Sequence, residues 1–143
     1  MEEISFVFKE RIELSAKIDD LDKLQDWLSV ILDNIQCTTK ACSQLAVVTE
    51  EVFVNICEYA YAQNGDSNVT VFVGTKDSIL VIRFEDSGIE FNPLTYKTPE
   101  VSASLNEREA GGFGILIMKK WMDSVDYKRI DGKNQLTLTK KVI

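Results

Sequence analysis

The sequence of 143 residues contains no histidine, and that absence excludes several kinds of site. Ser-His-Asp hydrolases, metal sites with imidazole ligands and enzymes that phosphorylate their own histidine all need this side chain. Cysteine is also scarce, and Cys37, Cys42 and Cys57 form no Cys-x-x-Cys pair. We therefore expect neither a disulfide framework nor a zinc knuckle, and reduced thiols are the simpler interpretation.

The chain also lacks an excess of basic residues and any apolar run of membrane-spanning length. Its formal net charge is −7, and the acidic excess lies in the first half of the chain. Nucleic acid needs a basic footprint and is not an expected partner, whereas an acidic surface can attract a basic protein. No signal peptide is recognisable. We expect a cytoplasmic protein that binds neither nucleic acid nor membrane.

Composition and periodicity indicate one globular domain over residues 1–143. Hydrophobic residues make up 45% and charged residues 27% of the chain, near the soluble average. Apolar residues recurring every three or four positions predict helices over 19–35, 39–61 and 112–121, with Asp19 or Asp20 as the first N-cap. Apolar runs predict strands over 4–15, 68–75, 78–85, 125–130 and 135–142, the first at a sheet edge.

Residues 92–110 form a polar stretch with prolines, small residues and charges. This is long for a connection inside a compact domain, and loops of that length are usually functional or mobile. We expect a lid over a ligand site.

Glu51 and Asn55 lie four residues apart, so a helix places both side chains on one face. A neutral amide oxygen beside triphosphate oxygens suits Mg²⁺. A carboxylate one turn away can take the proton of an incoming hydroxyl as a general base. The spacing is common by itself, and a solvent-facing polar stripe is the ordinary alternative.

Asp86 follows an apolar strand, at the kind of strand end where ligand sites are found in layered folds. A carboxylate there can accept a hydrogen bond from the exocyclic amino group of adenine. Gly88, which has no Cβ, lets a base approach the backbone. The alternative is a simple turn, because Asp-Ser-Gly is also ordinary turn chemistry.

Gly111, Gly112 and Gly114 open the last predicted helix, where free N–H groups and the helix dipole favour a phosphate. The run fits neither a Walker loop nor a dinucleotide fingerprint, and a close-packed helix entry is the alternative. An acid and amide on a helix, a strand-end Asp-x-Gly and a glycine-rich helix start are three parts of a phosphoryl-transfer site. Their joint occurrence in this order favours ATP binding.

With these motifs the chain resembles the GHKL (Bergerat-fold, histidine-kinase-like) ATPases over about residues 10–142. The branch it resembles is the small single-domain anti-sigma-factor serine/threonine kinases of bacteria. Residues 51–61 resemble the N box, residues 86–93 the first glycine box and residues 111–115 the second. The resemblance implies an α+β fold, a two-layer sandwich in which helices cover one face of a mixed sheet.

By position, the resemblance implies that Glu51 is the general base, that Asn55 is the Mg²⁺ ligand and that Asp86 reads adenine. The further residues that it assigns to ATP are Gly88, Phe91, Arg108 in the lid, Gly112, Phe113 and Gly114. It also implies phosphate transfer to an anti-anti-sigma (STAS-type) protein, sequestration of a sigma factor and a homodimer.

The resemblance has departures. Tyr59 stands where this branch commonly has histidine, and Glu90 stands where proline or glycine often precedes the phenylalanine. The family's threonine near adenine has no certain counterpart, and Asn134 and Thr137 are the candidates.

Three other functions are compatible with parts of the pattern. The first is an ATP-gated partner-binding module with little or no phosphotransfer, which slow turnover and nucleotide-dependent partner affinity would favour. The others are a detached catalytic domain of a sensor histidine kinase and a structural domain without nucleotide. The lack of a dimerisation helix pair counts against the former, and the intact Glu51, Asn55 and Asp86 count against the latter.

Overall fold

The computed structural model describes residues 8–60, 67–95 and 113–143, without the side chains of Ala60 and Phe113. In chain order its elements are β1 (Glu10–Ser15), α1 (Leu21–Asn34), α2 (Thr39–Asn55), β2 (Asn68–Lys76), β3 (Ile79–Asp86), α3 (Phe113–Trp121), β4 (Ser124–Ile130) and β5 (Lys133–Lys141). A π-helical turn, Ile56–Ala60, continues α2, and 3-10 turns span Ile18–Asp20 and Pro93–Thr95. Each predicted helix and strand has a counterpart among these residues, while positions 4–7 of the first predicted strand and position 61 of the second predicted helix lie outside them.

The five strands form one sheet in the order β1-β2-β3-β5-β4, and every neighbouring pair is antiparallel. The prediction of a mixed sheet was therefore wrong for the described strands. After β3 the chain crosses over through α3, so β4 runs in the same direction as β3. Two such strands would pair in parallel if they were neighbours. The β4–β5 hairpin places β5 between them. The first strand lies at an edge, as predicted.

A single hydrophobic core lies between one face of the sheet and the helices, which confirms the two-layer α+β prediction. Alternate strand residues such as Val71, Ile82 and Leu138 belong to the same buried cluster as Leu28 of α1 and Phe53 of α2. Burying one such side chain stabilises the fold by about 1.5–3 kcal/mol. No helix in the described part of the chain is long and apolar enough to cross a membrane.

The start of α1 differs from the sequence prediction in its cap, whereas α2 begins at Thr39 as predicted. Asp20 occupies the N-cap position of α1, but its carboxylate makes no bond to that helix. It accepts instead from Ser15 N at 2.8 Å and fixes the turn after β1. Thr38 caps α2, because its Oγ1 accepts from Ala41 N at 3.2 Å.

All three cysteines are free, as predicted. Burial raises the pKa of the Cys37 thiol to about 12 and that of the Cys57 thiol to about 11. Both therefore remain protonated at neutral pH, and neither has the thiolate character of a reactive cysteine.

Thr38→Ala should lower the free energy of unfolding by about 1 kcal/mol, because it leaves the Ala41 N–H without its side-chain acceptor. Urea unfolding followed by circular dichroism measures the change. Thr39→Ala is the matched control one position further along, and an equal loss in both variants would show that Thr38 is not the cap.

Candidate functional site

A buried carboxylate lies at the end of β3. Asp86 is the last residue of that strand and is 4% exposed. Its Oδ1 accepts hydrogen bonds from Gly88 N at 3.0 Å and from Asn134 Nδ2 at 2.8 Å. No described residue donates to Oδ2. One carboxylate oxygen is thus fixed by the protein, while the other keeps its capacity to accept a hydrogen bond.

The Asn134 side chain fixes the surroundings of Asp86. Besides the bond to Asp86, Nδ2 donates to Ile89 O at 2.8 Å. Oδ1 accepts from Tyr127 O–H at 2.5 Å and from Phe91 N at 3.2 Å. All four hydrogen-bonding positions of the amide are therefore occupied.

Asn134, rather than Thr137, is the partner of Asp86. Thr137 Oγ1 accepts instead from Arg83 Nε at 3.0 Å. Arg83 lies on the opposite face of the sheet, where its guanidinium carbon is 4.9 Å from the centre of the Phe8 ring. The two candidates left open by the sequence are thus separated by strand alternation, because residues three apart on a strand face opposite sides.

Burial raises the pKa of Asp86 above its ordinary value, although the bonds from Asn134 and Gly88 and the charge of Arg129 oppose the shift. Arg129 acts on the same loop through a hydrogen bond from Nη1 to Gly88 O at 2.8 Å. Burial and the charge of Glu90 also raise the pKa of Tyr127, which remains a neutral hydrogen-bond donor. Ionised Asp86 is therefore held at a cost in stability.

An apolar pocket adjoins the carboxylate. Its lining residues are Val52, Asn55, Ile56, Phe84, Asp86, Phe91, Pro93, Met118, Tyr127, Asn134 and Leu136. The cavity measures about 20 Å³, which suits one water molecule rather than an aromatic base. A flat heterocycle fits the chemistry of this lining, but it requires at least one wall to move.

One lining residue of the pocket, Phe91, belongs to an aromatic stack. The Phe91 and Tyr59 rings are parallel to within 16°, with centroids 5.1 Å apart. Tyr59 lies in the π-helical turn that follows Asn55, and such turns frequently occur at functional sites. The residue that replaces the family's usual histidine thus packs against a wall of the apolar pocket.

Glu51, Asn55 and Gly114 meet where α2 passes the start of α3. A Cβ on Gly114 would overlap Oε2 of Glu51, so only glycine leaves space for this carboxylate. Asn55 is 6% exposed and lines the apolar pocket. Burial, followed by the charges of Glu50 and Glu58, raises the pKa of the half-buried Glu51. Gly114 is thus brought beside a glutamate 63 positions earlier in the sequence (114 − 51).

This geometry agrees with what comparison of the chain with known proteins shows. The Histidine kinase-like ATPase domain family matches residues 14–140. The chain belongs to that family. The family resemblance predicted from the three motifs is confirmed, and ATP is the ligand that its members are named for.

Individual relatives are more distant. The chain is 24% identical over 128 residues to serine/threonine-protein kinase BtrW of Bordetella bronchiseptica, with 90% of each chain covered. It is 26% identical over 114 residues to an anti-sigma F factor of Bacillus velezensis, covering 80% of this chain and 78% of that protein. A structure of the RsbU and RsbW domains of Rv1364c from Mycobacterium tuberculosis shares the fold, with a TM-score of 0.62 and 14% identity. That match covers 94% of this chain and 33% of the longer one.

The polar and apolar groups at the site of this histidine kinase-like ATPase domain are chemically suited to ATP. Asp86 provides an acceptor for an exocyclic amine, and the apolar lining provides faces for a purine. In the described ranges no three His, Cys, Asp or Glu residues form a metal site. Asn55 offers one amide oxygen, so a Mg²⁺ ion there would take its other oxygens from phosphate and water.

Several predicted site residues lie outside the described part of this ATPase domain. Arg108, Gly111, Gly112 and lid residues 96–110 are among them, and of Phe113 only the backbone at the start of α3 is described. The sequence analysis did not identify Tyr127, Met118 or Leu136 as pocket residues. Their alternation along β4 and β5 and their helical spacing in α3 indicate burial, but not proximity to Asp86.

Gly114→Ala should keep the fold, since alanine is at least as good a helix former as glycine, but it should displace the Glu51 carboxylate toward water. The Glu51 pKa should then fall toward that of an ordinary glutamate, because burial is the main cause of its increase. An NMR titration of side-chain carboxyl carbons, with Glu51→Gln to assign the signal, measures it. An unchanged pKa in the folded variant would contradict the contact.

Asp86→Asn should raise the thermal midpoint of unfolding at neutral pH. The raised pKa means that folded Asp86 holds its proton more tightly than the unfolded chain, so ionisation costs stability above the folded pKa. Asparagine keeps an oxygen acceptor for Gly88 N and Asn134 Nδ2 without the charge. The gain should disappear as the pH falls below the unfolded pKa.

The pH dependence of this gain is measured by thermal unfolding from acid to neutral pH. Glu85→Gln is the control, since it removes a neighbouring charge on the opposite sheet face. A gain that is the same at all pH values would mean that the charge of Asp86 is not its cause.

Proposed function

We propose that this chain is an ATP-dependent serine/threonine kinase of the anti-sigma-factor type. It transfers the γ-phosphate of ATP to an anti-anti-sigma (STAS-type) protein and sequesters a sigma factor. The observation that carries the proposal is the half-buried Glu51 carboxylate beside Gly114, one helical turn before Asn55, which lines the same pocket as Asp86. The names of BtrW and the anti-sigma F factors support the same class of activity.

In this proposal Asp86 and Gly88 recognise the adenine. The free Oδ2 accepts from the exocyclic amine, while Oδ1 stays bonded to Gly88 N and Asn134. Guanine carries a carbonyl oxygen at that position and would meet a carboxylate, so the pocket favours adenine. Phe91 must shift to admit the base, because the apolar pocket is narrow.

Glu51 acts as the general base. The serine oxygen of the partner attacks the γ-phosphorus, Glu51 takes the hydroxyl proton, and the bond to the β-phosphate oxygen breaks with its electrons remaining on ADP. A raised carboxylate pKa improves proton acceptance near neutral pH, as long as the group remains ionised. Mg²⁺ would neutralise phosphate charge, with Asn55 as its protein ligand.

The remaining expectations belong to the same proposal. Residues 92–110 are the lid, Arg108 contacts the terminal phosphate, and the backbone of Gly112, Phe113 and Gly114 contacts the phosphates at the start of α3. The protein is one cytoplasmic domain that forms a homodimer. None of its partners is a nucleic acid or a membrane, in agreement with the acidic net charge of −7.

Glu51→Ala should reduce phosphate transfer to a purified anti-anti-sigma protein by about 10²–10⁴-fold, the usual contribution of a general base, while ATP affinity changes little. Radiolabelled transfer measures the first quantity, and calorimetric titration with ATP and Mg²⁺ measures the second. Glu10→Ala is the control, because Glu10 is an exposed glutamate on the edge strand β1 and its charge is not among those that raise the Glu51 pKa.

Three results would count against the proposal in different ways. Full transfer by Glu51→Ala would remove the base from the mechanism. Saturable ATP binding without transfer, but with nucleotide-dependent partner affinity, would make the chain an ATP-gated binding module. No ATP binding by the unaltered protein would favour a structural role.

A further inference from the structure

A groove at the opposite end of the helix layer is lined by lysines. It lies between the start of α2 and the end of α3, and it measures about 490 Å³. Among the described residues that line it, four are basic, Lys40, Lys120, Lys140 and Lys141, and one is a carboxylate, Asp123. We call this feature the lysine groove. Four positive charges in one groove are notable in a chain whose net charge is −7.

The lysine ammonium groups have no carboxylate partners within the described part of the chain. The ion pair found there joins Arg11 to Glu13, far from the lysine groove in the sheet order. Asp123 instead accepts from the backbone N–H of Lys141 at 2.6 Å. Asp123 offsets at most one of the four lysine charges, so the described residues leave the groove with an excess of positive charge.

Lys140 is the most informative member of the group. It is 9% exposed, and its Nζ donates to Trp121 O at 2.6 Å, its one acceptor among the described residues. An ammonium group has three donors, so two remain for a ligand or water. Burying an ammonium without an anion is costly, which makes an acceptor supplied from outside favourable at this position.

Favourable interactions with a helix dipole explain the positions of only some of these lysines. Lys120 and Lys140 lie near the last carbonyls of α3, where a positive charge is favourable. Lys40 lies in the first turn of α2, where a positive charge is unfavourable and where no acidic residue compensates the dipole. Lys40 and the positive end of the α2 dipole thus both increase the positive electrostatic potential of the lysine groove.

We propose that the lysine groove is a docking site for an acidic segment of a protein partner. The volume of about 490 Å³ holds on the order of tens of waters, so a single inorganic anion would fill only a small part. Trp121 lines the same groove and offers an apolar surface that a small hydrated anion cannot use. A segment with carboxylates beside an apolar side chain uses both features.

This site is separate from the nucleotide site. Lys40 and Asn55 lie near opposite ends of α2, about 22 Å apart at 1.5 Å per residue. A partner segment in the lysine groove therefore leaves the apolar pocket accessible. The partner can remain attached there while nucleotide binds and leaves, a role that the proposed kinase activity does not itself require.

The probe is a short fluorescein-labelled peptide of glutamate and leucine, titrated into the full chain without nucleotide and followed by fluorescence anisotropy. We expect saturable binding that weakens with added salt. Lys40→Glu combined with Lys120→Glu should weaken it at least about tenfold, because two attractions become repulsions. Both lysines are exposed, so the variant should fold.

Lys17→Glu combined with Lys133→Glu is the matched control. Both side chains are exposed at the end of the sheet that carries Asp86, and the change in net charge is identical. Equal weakening by both pairs would overturn the proposal, as would the absence of saturable binding. Displacement of the peptide by an equal concentration of inorganic phosphate would identify a small-anion site instead and would also overturn it.

Discussion

The four hydrogen bonds of the buried Asn134 side-chain amide hold together the end of the sheet that carries the candidate site. They join β3, β4, β5 and the segment after β3 into one unit. Removing such a group leaves buried partners unpaired, at about 1–3 kcal/mol each. Asp86 can remain at the edge of an apolar core because one of its oxygens is already bonded. In the proposed function, recognition of the base by Asp86 therefore depends on Asn134, whose amide has no hydrogen-bonding position left for the base itself.

The helix layer contributes the other half of the site through close packing rather than through hydrogen bonds. Glu51 reaches the start of α3 because residue 114 has no side chain, and the stacked rings of Tyr59 and Phe91 join the end of the α2 helix to the segment after β3. Both contacts bring together residues from different layers. In the proposed mechanism the sheet therefore provides the groups that bind the base, while the helices set the position of the carboxylate that faces the phosphates.

Local patterns predicted the elements, the strand-end position of Asp86 and the common helical face of Glu51 and Asn55, since each depends on spacing along the chain. They did not predict that β5 inserts between β3 and β4, because strand order is decided by long-range pairing. For the same reason the sequence left Asn134 and Thr137 as alternatives: only the register opposite β3 places Asn134 beside Asp86. The π-helical turn and the use of Asp20 outside its helix also depend on tertiary contacts.

The C-terminal end of α3 is attached to the sheet by hydrogen bonds from Lys140 Nζ to Trp121 O and from Asp123 N to Thr139 O, at 2.6 and 2.9 Å. For a helix attached at one end, any change in tilt is largest at the other end, as in a lever. Its 9 residues give an arm of about 13 Å, so a tilt of about 10° displaces the free end by about 2 Å. A small change in the tilt of α3 is therefore enough to open or close the space that Gly114 leaves for Glu51.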